Sequence, residues 1–130
     1  MSVTVLGTGI DLVENSRMRE VLERWGKKFK DRVFLKNEQL YCENKAVPVQ
    51  HYAGRFAVKE AVTKAFGTGI GAAIGWRDVE VTRDGESGAP SVRLSPRARS
   101  LASEQSAGEV LVSLAHTRNY AVAHVLLMAK

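Results

Sequence analysis

The sequence predicts an α+β domain in which a largely antiparallel sheet packs on one long helix. Three observations carry this. Residues 110–116 and 120–127 are strongly strand-prone, and only Thr117-Arg118-Asn119 separates them, which makes a tight antiparallel hairpin. Residues 49–66 read as a long helix that ends in Gly67-Thr68-Gly69-Ile70-Gly71. The whole chain follows the order β-α-α-α-β-β-α-β-β, and its 130 residues, 45% of them hydrophobic, suit one domain over residues 1–130.

The elements follow in order. Residues 3–13 form a strand through Val3, Val5, Ile10 and Val13, with Gly7-Thr8-Gly9 as a bend or bulge. Asp11 is out of place in the apolar run Ile10-Asp11-Leu12-Val13. A buried carboxylate there needs a cation or a metal, whereas at an edge position it would point into water. Asn15 or Ser16 caps the next helix, whose inward face carries Met18, Val21, Leu22, Trp25 and Phe29. On its other side Arg17, Arg24 and Lys28 fall within about 20° of one azimuth, either a solvated face or a docking stripe for an acidic helix.

Residues 34–43 form a short helix with Leu35 and Leu40 inward, and residues 44–49 a loop with Lys45 and Pro48. Gly54 is a tolerated interior glycine of the long helix. Glu60 and Lys64 share one face of it at i,i+4, as do Arg55 and Lys59. Glu60 and Lys64 form either a surface pair worth roughly 0.3–0.5 kcal/mol or two charges aimed at one phosphate-metal site. The glycines after this helix are a C-cap; a phosphate-binding P-loop needs them before a helix. Residues 76–83 and 91–94 are strands joined by residues 84–90. Ser95 and Pro96 open a helix that ends near Gly108. Alternation puts Val112, Leu114 and His116 on one face of the next strand, with His116 at its end as a rim or site residue; His51 and His124 give no comparable signal.

The formal net charge of +5 suits an anionic partner without choosing among nucleic acid, acidic protein, phosphorylated small molecule and membrane surface. The one cysteine, Cys42, excludes an intrachain disulfide and a multi-cysteine zinc site, and fits a reducing cytoplasm. Residues 3–13 hold two glycines and an aspartate and lack a basic start, so they are neither signal peptide nor membrane span.

Three segments stand out together. The first is Gly9-Ile10-Asp11-Leu12-Val13-Glu14 with Arg17 after it. The second is Arg55-Phe56-Ala57-Val58-Lys59-Glu60-Ala61 with Lys64-Ala65-Phe66-Gly67-Thr68-Gly69. The third is Val112-Ser113-Leu114-Ala115-His116-Thr117 with Tyr120-Ala121-Val122-Ala123. In order and spacing the set closely resembles the holo-[acyl-carrier-protein] synthase family, the short-type 4′-phosphopantetheinyl transferases, over about residues 4–127. One departure is Ala115, where the family often has serine or threonine.

The resemblance implies a 4′-phosphopantetheinyl transferase-like fold and a magnesium-dependent reaction. In it, coenzyme A gives its 4′-phosphopantetheine to a serine of apo acyl carrier protein, and adenosine 3′,5′-bisphosphate is released. By the same resemblance, Asp11 and Glu60 match the metal-binding carboxylates, and Lys64 the lysine near the reacting pyrophosphate. Arg55 and His116, with Thr117 beside it, match contacts to the phosphates at the adenosine end of coenzyme A. Gly67, Thr68 and Gly69 match the loop along the cofactor channel. Arg17 and its helix, with Arg24 and Lys28, match the carrier-protein surface. A homotrimer with active sites between subunits is implied too, as is a place in fatty acid biosynthesis.

The chemistry of the residues agrees. Mg²⁺ takes one or two carboxylates and fills its octahedron with water and substrate phosphate oxygens. A lysine adds charge where negative charge develops. Two rivals stand beside this expectation. A nucleic-acid-binding module fits the basic charge but lacks a stacking set, since Trp25, Phe56, Phe66 and Tyr120 fall at core-like positions. A metal-dependent phosphodiesterase would use the same carboxylates and lysine to hydrolyse.

Overall fold

The computed structural model of the protein describes residues 2–130. Strand β1 (Val5–Glu14) leads into helices α1 (Asn15–Trp25), α2 (Lys27–Val33), α3 (Lys36–Glu43) and α4 (Pro48–Ala65). A single 3₁₀ turn at Trp76–Asp78 precedes strands β2 (Val79–Arg83) and β3 (Pro90–Leu94). Helix α5 (Pro96–Glu104) and the long strands β4 (Ala107–His116) and β5 (Tyr120–Ala129) complete the chain. The sheet is split: β1-β5-β4 form a three-stranded antiparallel sheet, and β2-β3 a separate antiparallel pair.

Helix α4 lies across the three-stranded sheet and is its hydrophobic backing. Ala57, Val58, Ala61, Val62 and Ala65 of α4 pack on Ala123, Val125 and Leu127 of β5. The fit is close because both surfaces are small. A Cβ placed on Gly9 would lie 1.8 Å from the Ala61 carbonyl oxygen, and one on Gly7 would lie 2.0 Å from that of Ala65. These glycines of β1 therefore admit the helix backbone itself. The expected bulge is present, as a register shift between Val5 and Gly7. A second core cluster, with Met18, Phe34, Cys42 and Tyr52, fills the space between α1–α3 and α4.

Several expected boundaries move. Gly26, at φ 52°, breaks the predicted first helix into α1 and α2, because a left-handed residue cannot continue a right-handed helix. Trp25, placed inward by periodicity, is 53% exposed at that break. Neither Asn15 nor Ser16 caps α1: Glu14 precedes the helix without a side-chain bond. Asn15 instead donates through Nδ2 to the carbonyl of Arg118, tying α1 to the β4–β5 turn. In α3 the inward residues are Glu38 and Cys42, while Leu40 is exposed. Ser95 caps α5 as predicted, accepting from the Ala98 amide at 3.1 Å, but the helix stops at Glu104 rather than near Gly108. The stretch 76–78 is a 3₁₀ turn, not strand.

Candidate active site

Residues 7, 9, 11 and 13 of β1 alternate onto the face that meets α4. Asp11 thus stands where the edge strand meets the last turns of the helix, half-buried. Lys64, exposed near the end of α4, donates through Nζ to Asp11 Oδ1 at 3.2 Å and to the Ile10 carbonyl at 2.9 Å. It makes no ion pair with Glu60, so the i,i+4 surface pair is not formed; Lys64 reaches to β1 instead. Glu60 is half-buried one turn earlier. Burial raises its carboxyl above the ordinary range, the Asp11 charge raises it further, and Lys64 offsets only part of this. Burial raises Asp11 too, against the hydrogen bond and charge of Lys64.

Two carboxylates from separate elements therefore stand near one ammonium, which bonds only Asp11 of the two. That donor set fits a divalent cation of the Mg²⁺ type, which takes one or two carboxylates and leaves other positions to water and substrate. Among the described residues no cluster of three or more His, Cys, Asp or Glu is poised for metal, so a cation held by this pair has ligand positions left for substrate.

A groove of about 430 Å³ leads from Asp11 across Val13, Met18, Phe29 and Phe56 to Arg17. Arg17 and Arg24 are exposed on α1, and Lys28 is exposed too. Lys28 belongs to α2, beyond the Gly26 break, so the predicted single stripe ends at Arg24. Arg24 lies 5.3 Å over the exposed Trp25 ring. Tyr120, expected in the core, is exposed at the groove.

Arg55 and His116 meet elsewhere. His116 ends β4, the opposite edge of the sheet from β1. Its ring sits on Gly54, where a Cβ would be 2.7 Å from the imidazole Cε1. Gly54, expected as a merely tolerated glycine, is thus the seat of His116. Arg55 is 5% exposed, and its guanidinium lies 3.8 Å over the Tyr41 ring, yet its Nε has no hydrogen-bond partner among the described residues. The predicted residues fall into two groups, Asp11-Glu60-Lys64 near the β1 edge and Arg55-His116 near the β4 edge.

The remaining predicted positions are loops. Gly67 (φ 81°) and Gly69 (φ 63°) adopt left-handed backbone, and the amides of Gly67, Thr68 and Gly69 cap the last carbonyls of α4, as expected of a C-cap. A Cβ on either glycine would meet nothing within 4 Å, so the loop is open beside them. The Thr117 hydroxyl accepts from the Tyr120 amide at 2.9 Å and holds the hairpin turn.

A family model described as the 4′-phosphopantetheinyl transferase superfamily matches residues 7–125. The chain belongs to this superfamily. Within it, it is an enzyme of the holo-[acyl-carrier-protein] synthase family. It is 44% identical over 118 residues to the holo-[acyl-carrier-protein] synthase of Protochlamydia amoebophila, covering 91% of this chain and 93% of that one. It is 43% identical over 123 residues to that of Geobacter metallireducens, covering 95% and 97%. The fold agrees with the family. The crystal structure of the Neisseria meningitidis enzyme superposes with a TM-score of 0.89 at 30% identity, covering 95% and 98% of the two chains. The Bacillus anthracis enzyme, solved in complex with coenzyme A (3′,5′-ADP), gives 0.81 at 31% identity, covering 99% and 100%.

Sequence reasoning missed several members of the site and one buried pair behind it. Tyr41, His51 and Arg83 line one recess with Arg55 and His116, brought there from α3, α4 and β2. Lys59, adjacent to Glu60, is wholly buried and paired with Glu38 at 2.8 Å. Only the excess of cations along these segments hinted at the first group, and nothing local hinted at the second.

Proposed function

We propose that the protein transfers 4′-phosphopantetheine from coenzyme A to a serine of apo acyl carrier protein. The observation that carries this is the Asp11-Glu60-Lys64 cluster at the mouth of an apolar groove, in a chain whose relatives are named for that reaction. The serine hydroxyl attacks the β-phosphorus of coenzyme A, the bond from that phosphorus to the bridging oxygen breaks, and adenosine 3′,5′-bisphosphate leaves. The serine proton passes to Glu60 through a water, since Glu60 is the less compensated of the two carboxylates.

Asp11 and Glu60 would hold a Mg²⁺ ion, which when bound supplies charge to the pyrophosphate and the leaving group. Lys64 turns from Asp11 to the pyrophosphate and offsets charge there. Arg55 and His116 bind the phosphates at the adenosine end, and Gly67, Thr68 and Gly69 let the cofactor pass close to backbone. Arg17 and Arg24 meet the acidic carrier, with Lys28 beyond the helix break. Such work fits a soluble cytoplasmic enzyme of fatty acid biosynthesis, and among the described residues no helix is long and apolar enough to cross a membrane.

The working assembly is a homotrimer in which one chain's phosphate contacts complete another's carboxylate cluster. Two features support this. The two groups of site residues belong to opposite edges of the sheet. The sheet face turned away from α4 exposes large apolar side chains, with Ile10 60% and Leu12 61% exposed on β1 and Leu111 42% exposed on β4. A fully active monomer of 14.3 kDa in equilibrium sedimentation would refute it.

One assay tests the reaction. Protein, coenzyme A, Mg²⁺ and apo carrier protein are incubated, and the carrier mass is read for a gain of about 340 Da, one phosphopantetheine group. No gain on any carrier protein tested overturns the proposal.

A further inference from the structure

The recess that holds Arg55 and His116 contains more positive groups than the phosphate contacts described above. It has a volume of about 250 Å³ and is lined by Tyr41, His51, Arg55, Arg83, Leu114 and His116 among others, with no carboxylate on its wall. Two helices and two strands around it contribute a cation or a donor, while β3 adds only Pro90. Helix α3 gives Tyr41, α4 His51 and Arg55, β2 Arg83, and β4 His116, and Lys45 stands outside the recess against Tyr41. Lys45 Nζ lies 4.6 Å from the Tyr41 ring centroid, and Arg83 donates to both the Tyr41 hydroxyl and the Gly88 carbonyl, 2.8 Å away. The cations are therefore fixed in place but not neutralised.

Two details point to an anion rather than to a surface patch. Arg55 Nε is buried and bonded to nothing among the described residues, and a buried donor without an acceptor is costly. The rings of His51 and His116 face the same space with centroids 5.9 Å apart, near enough for a nitrogen of each to reach oxygens of one phosphate. Burial lowers both imidazoles below their ordinary value, and neighbouring charge lowers them further: His116, Arg55, Lys45 and Arg83 act on His51, and Arg55 and Arg83 on His116. Without an anion the rings are thus held neutral near pH 7. A bound dianion reverses that field.

We propose that His51 joins Arg55 and His116 in binding the 3′-phosphate of coenzyme A, and that the two imidazoles bind it as cations, so that binding takes up protons. This rests on the functional reading given above for the ligand, and on the recess for the rest. An arginine in place of His51 would bind the phosphate at any physiological pH; a histidine couples binding to pH. The sign follows. Protons enter with the ligand, so affinity falls as pH rises through the imidazole range. On the acid side the phosphate's own second ionisation, near pH 6, sets the limit.

The test compares coenzyme A with dephospho-coenzyme A, which lacks only this phosphate, by titration calorimetry between pH 6.5 and 8.5 in buffers of different ionisation enthalpy. Wild type is expected to prefer coenzyme A by about 10- to 100-fold at pH 6.5, as charge-assisted hydrogen bonds to a phosphate provide. That preference falls several-fold by pH 8.5, and proton uptake approaches about two per coenzyme A near pH 7, one for each imidazole. His51→Gln reduces the preference about 3- to 10-fold and about halves the proton uptake. His51→Arg keeps the preference and flattens its pH dependence, which also shows that the position tolerates substitution. A His51→Gln protein with unchanged preference and unchanged proton uptake overturns the proposal while leaving the transferase reading intact. Wild type that binds no coenzyme A overturns both.

Discussion

Lys59 and Lys64 lie five residues apart on α4, and each ends on a carboxylate from another element. Lys59 meets Glu38 at 2.8 Å with both side chains wholly buried. It also donates to the carbonyls of Trp76 at 3.0 Å and Val79 at 2.5 Å, while Glu38 accepts from the amides of Leu35 and Val81. Every polar atom of that pair is spoken for, so it joins α3, α4 and β2 and can do nothing else. Lys64 meets Asp11 at 3.2 Å with its side chain 47% exposed, and a second carboxylate, Glu60, stands by unmatched. The same two residue types give a fastening in one place and an unsaturated site in the other. Burial and the number of remaining donors decide which.

Four experiments press on that contrast, the largest effect first. Lys59→Met should cost about 3–5 kcal/mol, because it leaves the Glu38 charge buried and unpaired. Urea denaturation reads this directly. Adding Glu38→Leu should recover only part of it, since the amides of Leu35 and Val81 lose their acceptor. A double variant as stable as wild type would show that the pair is not a fastening.

Asp11→Asn should leave the unfolding free energy within about 1 kcal/mol of wild type, because Lys64 is freed into water rather than buried. Turnover should still fall about 10²- to 10³-fold, the scale of losing one preorganised electrostatic group. Loss of folding in place of loss of turnover would make Asp11 a structural partner like Glu38. Arg17→Glu tests how far the reactive side extends. It should raise KM for carrier protein about tenfold and leave coenzyme A affinity unchanged. Equal losses in both would move Arg17 out of the docking surface.

The smallest effect is a matter of pH. Glu60 holds its proton more tightly in the folded chain than in the unfolded one, where the ordinary value is 4.5. Ionising it therefore removes stability as pH rises from that value through the raised folded one. Glu60→Gln should raise Tm by about 1–2 °C at pH 7, the scale of one relieved like-charge contact, and not at pH 4. A lower Tm at pH 7 would mean that Glu60 is already compensated.

Much of this was legible in the sequence where the deciding forces are local. The β4–β5 hairpin, the Ser95-Pro96 start of α5 and the glycine cap of α4 follow from turn and cap chemistry. The long helix follows from its run of apolar and helix-forming residues up to the glycines, and Asp11 was conspicuous because a carboxylate rarely sits in an apolar strand. What escaped was set by contacts distant in sequence. Glu38 looks like one polar residue in a polar run, and only Lys59, Val81 and Leu35 together make it a core residue. His51 looks featureless until Arg83 arrives from β2 and His116 from β4. Gly26 interrupts an apolar spacing that by itself would continue to Phe29, and so Trp25 turned outward.

Gly7 and Gly9 bring the main chain of β1 against the main chain of α4, one strand carrying Asp11 and the other element carrying Glu60 and Lys64. The separation of the two carboxylates is therefore a dimension of the backbone, not of the side chains between them. Core residues elsewhere can drift in size without altering it. A single added methyl group at Gly9 would act as a shim, widening the site and spoiling it before any charged residue had changed.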